Sequence, residues 1–128
     1  MFRFGGGRVF TSSLREKSEW PLRVAPEDFR ENLVEMVRVS RAHDITPVLL
    51  TAPTSHEVGR EPRRLLDRHL KRLADLVPLH RKYVEIVREV ARDESAPLCD
   101  LADEFEKLPA RREYLLEDGI HLGPLADE

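Results

Sequence analysis

The sequence predicts an α/β fold built on a parallel sheet, and three observations lead there. A helical apolar stripe over residues 26–43 runs into a short apolar stretch, Ile45-Thr46-Pro47-Val48-Leu49-Leu50-Thr51. A second helical stretch, over 79–93, leads in the same way to Pro97-Leu98-Cys99-Asp100-Leu101. Helices that alternate with short buried strands make βαβ units, whose strands lie parallel.

The elements follow in chain order. Residues 1–10, MFRFGGGRVF, hold three consecutive glycines, Gly5, Gly6 and Gly7. Such a run either brings backbone close to a ligand or serves as a flexible loop. A phosphate-binding loop would need a following Gly-Lys-Ser/Thr, which is absent. Residues 11–25 read as a loop, with Pro21 breaking any helix. Ser12 and Ser13 lie there, but neither sits in a strand–turn–helix elbow that would expose a nucleophile. The stripe of the 26–43 helix is Phe29, Leu33, Met36, Val37 and Ser40. Pro26 suits its first turn, and Glu27 and Asp28 suit its N-terminal dipole.

After the first strand, residues 52–60 form a loop at its C-terminal end, where open α/β sheets bind ligands. His56 lies in that loop. A lone loop histidine reads as a surface residue, with substrate contact as the other reading. Residues 61–76 read as a second helix with a stripe of Leu66, His69, Leu70, Leu73 and Leu76, and Val77-Pro78 as a break or kink. The 79–93 helix lines one face with Tyr83, Val84, Val87, Val90 and Ala91, and places Arg88 on the polar side. In the second strand Cys99 is expected to be buried, as a small apolar group. A short helix over 102–108 ends at Pro109, and a loop over 111–117 follows.

The totals narrow the function. A chain of 128 residues suits one domain with a modest core. With 21 basic and 24 acidic residues there is no strong field of one sign, so nucleic-acid binding has no support. A single cysteine excludes an internal disulfide framework. No run of 18 apolar residues exists, so no membrane span is expected. The first residues lack an apolar signal core, which reads as cytoplasmic as written; a start further upstream could carry a signal. His69 and His80 are not at metal-ligand spacing, and neither metal nor cofactor is expected.

The stretch that carries chemistry is Glu117-Asp118-Gly119-Ile120-His121-Leu122. An Asp and a His three residues apart can meet on one side of a turn. The carboxylate then accepts a hydrogen bond from one imidazole nitrogen and leaves the other free as a base. Gly119 permits the positive φ that a sharp turn needs. A structural reading stands beside this one, since a buried histidine bonded to a carboxylate is a common core arrangement.

Asp118-Gly119-Ile120-His121-Leu122 resembles the last motif of the SGNH (GDSL-type) hydrolases. The similarity extends over roughly residues 22–124, through the Pro26-Glu27-Asp28-Phe29 helix start, the Val48-Leu49-Leu50-Thr51 strand end and Pro97-Leu98-Cys99-Asp100-Leu101. The resemblance implies a three-layer α/β/α, flavodoxin-like fold and cleavage of small-molecule esters by a Ser-His-Asp triad, with His121 as base and Asp118 as its orienter. It places Gly5, Gly6 and Gly7 in the oxyanion region, although Gly7 and Arg8 stand where the family has Asn and Asp. No Gly-Asp-Ser-Leu-like stretch is present, so no nucleophile is assigned and enzyme activity is left open. The chain is expected to be one partial domain, 1–128, with a Gly-rich start and loop over 1–25 and an α/β body over 26–128 that lacks the fold's N-terminal strands. The alternative is a non-catalytic remnant that binds a partner or forms a homo-oligomer through an open sheet edge.

Overall fold

The computed structural model describes residues 22–65, 70 and 72–124. Among them, helix α1 spans Pro26–Ala42, strand β1 Leu49–Leu50, helix α2 Leu76–Asp93, strand β2 Leu98–Cys99 and helix α3 Leu101–Lys107. β1 and β2 pair in parallel, with Leu49 opposite Leu98 and Leu50 opposite Cys99. The fold is α/β, as the alternation of helix and short apolar run predicts.

α1 starts at Pro26, where the missing N–H would have had no partner in any case, and Glu27 and Asp28 follow in its first turn. Its buried side centres on Val37, with Phe29 and Leu33 half-buried. Met36, expected on that stripe, is 63% exposed and shares an uncovered side with Val39. α2 buries Val77, Val84, Ile86, Val87, Val90 and Ala91. Phe29 packs edge-on against Tyr83 with ring centres 5.0 Å apart. Arg30 bonds Glu89 and Asp93, and Arg38 bonds Glu94. Partners rise in the same order along both helices, so α1 and α2 run parallel. Exposed ion pairs add little each, so apolar burial supplies the packing energy and the pairs fix the register.

Two expectations for the middle of the chain are corrected. The helix expected over 61–76 is represented among the described residues by 3-10 turns at Arg63–Leu65 and Leu73–Asp75. Leu66 and His69 of its stripe lie outside the described residues. Val77-Pro78 is not a break between two helices but the first turn of α2, which begins at Leu76. The reason is steric. A proline inside a helix clashes with the carbonyl four residues back, so a regular helix containing Pro78 must begin close before it.

The strands are shorter than the apolar runs. Ladder bonds run from Leu49 N–H to the Pro97 carbonyl and from Thr51 N–H to the Cys99 carbonyl. Thr51, on the covered face, is 1% exposed, whereas Val48 and Leu50 on the opposite face are more than half exposed. Cys99 is exposed rather than buried. It stands opposite Leu50 in the register, on the face that no described helix covers.

A polar network joins the C-terminal ends of the two strands. Thr51 Oγ1 donates to Asp100 Oδ1 at 2.7 Å and accepts from Ala102 N–H at 2.9 Å. Asp100 caps α3 by accepting from Asp103 N–H, and Arg88 grips it with two bonds of 2.8 and 3.1 Å. Arg88 is therefore a structural cross-link rather than a free polar-face residue. Its guanidinium holds the Asp100 carboxyl down to about 2, with the Thr51 and Asp103 bonds adding to the effect. Because folding lowers this value from 3.8, the stabilisation is complete above about pH 4 and is lost as pH falls through 2. Urea unfolding at pH 5 and at pH 2 should show wild type losing about 1 kcal/mol more than Asp100→Asn over that range, a figure that allows for solvent screening of a partly exposed pair.

Candidate functional site

The Asp118–His121 stretch is the tip of a small closed loop. A 3-10 turn at Arg111–Tyr114 precedes it, where a loop is expected, and Phe105 of α3 meets Tyr114 edge-on. An antiparallel bridge between Leu115 and Leu122 closes the loop. Leu116 N–H donates to the His121 carbonyl, Gly119 N–H to the Leu116 carbonyl and Gly123 N–H to the Tyr114 carbonyl, each at 2.8 Å. Gly119 has φ +74°, the left-handed conformation expected of it.

Within the loop the Asp118 carboxylate does two jobs. Oδ1 accepts from the backbone N–H groups of Ile120 and His121, both at 3.0 Å. Oδ2 accepts from His121 Nδ1 at 2.5 Å. These bonds, the imidazole first, hold the Asp118 carboxyl well below the usual carboxylate range. An ionised carboxylate can only accept, so Nδ1 carries the hydrogen, and in the neutral ring Nε2 has the lone pair. The His121 side chain is 75% exposed and that of Asp118 35%. The pair is thus not the buried core arrangement of the structural reading. It stands on a rim, flanked by exposed Leu116, Ile120 and Leu122.

The loop is held from behind by three consecutive residues that leave β1. Thr54 Oγ1 and Ser55 N–H both donate to the Gly119 carbonyl at 3.0 Å. His56 Nε2 donates to the Asp118 carbonyl at 2.8 Å. His56 is 8% exposed, so the surface reading of this residue is corrected. The loop position was legible, since it follows a strand of a parallel sheet. The partner, 62 residues away, was not. Behind His56 lies a groove of about 690 Å³ lined in part by His80, Arg81, Glu106 and Arg111. Burial, and then the nearby His56, lower the pKa of His80. A second groove, of about 380 Å³, runs past Ser55, His56, Arg112, Leu116 and Gly119.

Gly5, Gly6 and Gly7 and the hydroxyls of Ser12 and Ser13 lie outside the described residues. Among the described residues no group of three or more His, Cys, Asp or Glu is placed to hold a metal ion, and no helix is long and apolar enough to cross a membrane.

No protein-family model matches the chain, and none of the curated proteins matches it. Among solved structures, the crystal structure of the lipase/acylhydrolase from Enterococcus faecalis is similar, with a TM-score of 0.59 and 20% identity. The match covers 81% of this chain and 46% of that one, so the chain spans less than half the length of the protein it resembles. The likeness defines the class: an α/β chain with the fold of part of a lipase/acylhydrolase.

A Cβ at position 119 would lie 2.7 Å from His56 Nε2 and 2.9 Å from Ser55 Oγ, on a backbone already at positive φ. Gly119→Ala should therefore destabilise the chain by about 1–3 kcal/mol. It should also shift the His121 imidazole resonances, read by urea unfolding and by NMR.

Proposed function

We propose that the chain is the base-bearing portion of an SGNH-type ester hydrolase acting on a small-molecule ester. The observation that carries this reading is the Asp118–His121 pair, with Nδ1 committed to the carboxylate and Nε2 free in solvent. The fold shared with a lipase/acylhydrolase supports it.

In this reading His121 Nε2 takes the proton from a serine hydroxyl as that oxygen attacks the ester carbonyl. The imidazolium then passes the proton to the departing alcohol, and a second cycle with water releases the acid. Asp118 holds the productive tautomer and stabilises the imidazolium. Among the described residues no hydroxyl hydrogen-bonds to His121, so the serine comes from outside them. Gly5, Gly6 and Gly7 are the candidate backbone donors for the oxyanion.

A second reading has its own observation. Val48, Leu50 and Cys99 expose one face of the parallel pair, which suits a binding or oligomerisation module working through the sheet.

Hydrolysis of p-nitrophenyl acetate combined with fluorophosphonate labelling separates the two. The hydrolase reading expects one labelled serine outside 22–124, loss of turnover in His121→Ala, and a drop on the order of 10⁴-fold in Asp118→Asn. A folded protein with neither turnover nor label sinks that reading and leaves the second.

A further inference from the structure

We propose that His56 is a positioning residue for the Asp118–His121 pair, the anchor of a latch formed by Thr54, Ser55 and His56. This rests on the reading of that pair as a catalytic base and its orienter. The latch meets two consecutive carbonyls: His56 holds that of Asp118, while Thr54 and Ser55 hold that of Gly119. Fixing both ends of the Asp118–Gly119 segment fixes the backbone dihedrals from which the Asp118 side chain leaves. The carboxylate is then delivered to the open side of the loop, where it meets the Ile120 and His121 N–H groups and the His121 ring.

His56 is the member that holds the Asp118 carbonyl. The residue is 8% exposed, and its removal takes the side-chain partner from the Asp118 carbonyl at a part-buried bond. The fit is close, because the space beside Gly119 that a Cβ would need is already filled by the His56 ring. His56 touches no reacting atom in this arrangement; it acts through the backbone of Asp118.

The test uses ¹⁵N-labelled chain in three forms: wild type, His56→Phe and His56→Gln. Phenylalanine keeps the ring and loses the donor, whereas glutamine keeps a donor. The imidazole nitrogen shifts of His121 report its tautomer, and urea unfolding reports stability. In His56→Phe the Nδ1–H form should give way to a tautomer mixture as the ring loses its aligned carboxylate. His56→Gln should recover the Nδ1–H form. A wild-type tautomer in His56→Phe overturns the proposal, as does a stable His56→Gln that does not recover it. Should His56→Phe not fold, Thr54→Val removes from a half-buried site both the bond to the Gly119 carbonyl and the acceptor of the His56 N–H. It should move the tautomer in the same direction, and an unmoved tautomer overturns the latch. No step uses an ester, so a His121 that depends on His56 without any turnover removes the hydrolase reading and leaves the positioning role.

Discussion

The hydrogen bond between Thr51 and Asp100 is the constraint on which the rest of the arrangement depends. It ties together the C-terminal ends of the two paired strands, at a side chain that is 1% exposed. From Asp100 the chain turns into α3, and Arg88 reaches across from α2 to hold the same carboxylate. From Thr51 the chain enters the 52–56 loop, whose last three residues hold the Asp118–Gly119 backbone. A bidentate guanidinium pair is both stronger and more directional than a single exposed ion pair. The position of a solvent-facing histidine is thereby referred, through hydrogen bonds at both ends of a short stretch of chain, to the register of the sheet.

The latch explains why this motif sits where it does. A loop of eight residues, closed only by the Leu115–Leu122 bridge, has few contacts of its own. Short two-stranded pieces are marginal in water without a surface to pack on. Three bonds from the strand-exit loop supply that surface at the residues from which the carboxylate projects. Glu57 extends the same attachment outward by meeting Arg111 and Arg112. These outer pairs are partly exposed and are worth little each. They join the loops without deciding the geometry of the pair.

What the sequence made legible follows from the range of the physics involved. Local periodicity gave α1 and the apolar face of α2, because 3.6-residue spacing is written within a single segment. The Asp118–His121 contact and the positive φ at Gly119 are likewise local, needing three residues and a turn. Pro78 misled because a proline is compatible with both a helix break and a helix start, and the 3-10 turn at Leu73–Asp75 just upstream decides between them. Cys99 misled because an apolar strand residue is buried only when something covers its face, and strand sequence does not reveal which face is covered. His56 was placed correctly in its loop and given the wrong surroundings, since its partner arrives from the other end of the chain.

Exposure sets what the pair can do. An imidazole 75% open to water feels a high dielectric, so the carboxylate beside it contributes less than it would in an enclosed site. Desolvation and field strength are therefore weak levers for His121 as it stands. Geometry is the strong one: an imidazole with Nδ1 occupied presents Nε2 in one direction, and a base is useful only when that direction meets the proton to be removed. The chain spends its buried polar contacts accordingly. They are not placed on His121 itself but one layer behind it, on the carbonyls of Asp118 and Gly119, where a small rotation of one peptide would otherwise swing the carboxylate out of reach.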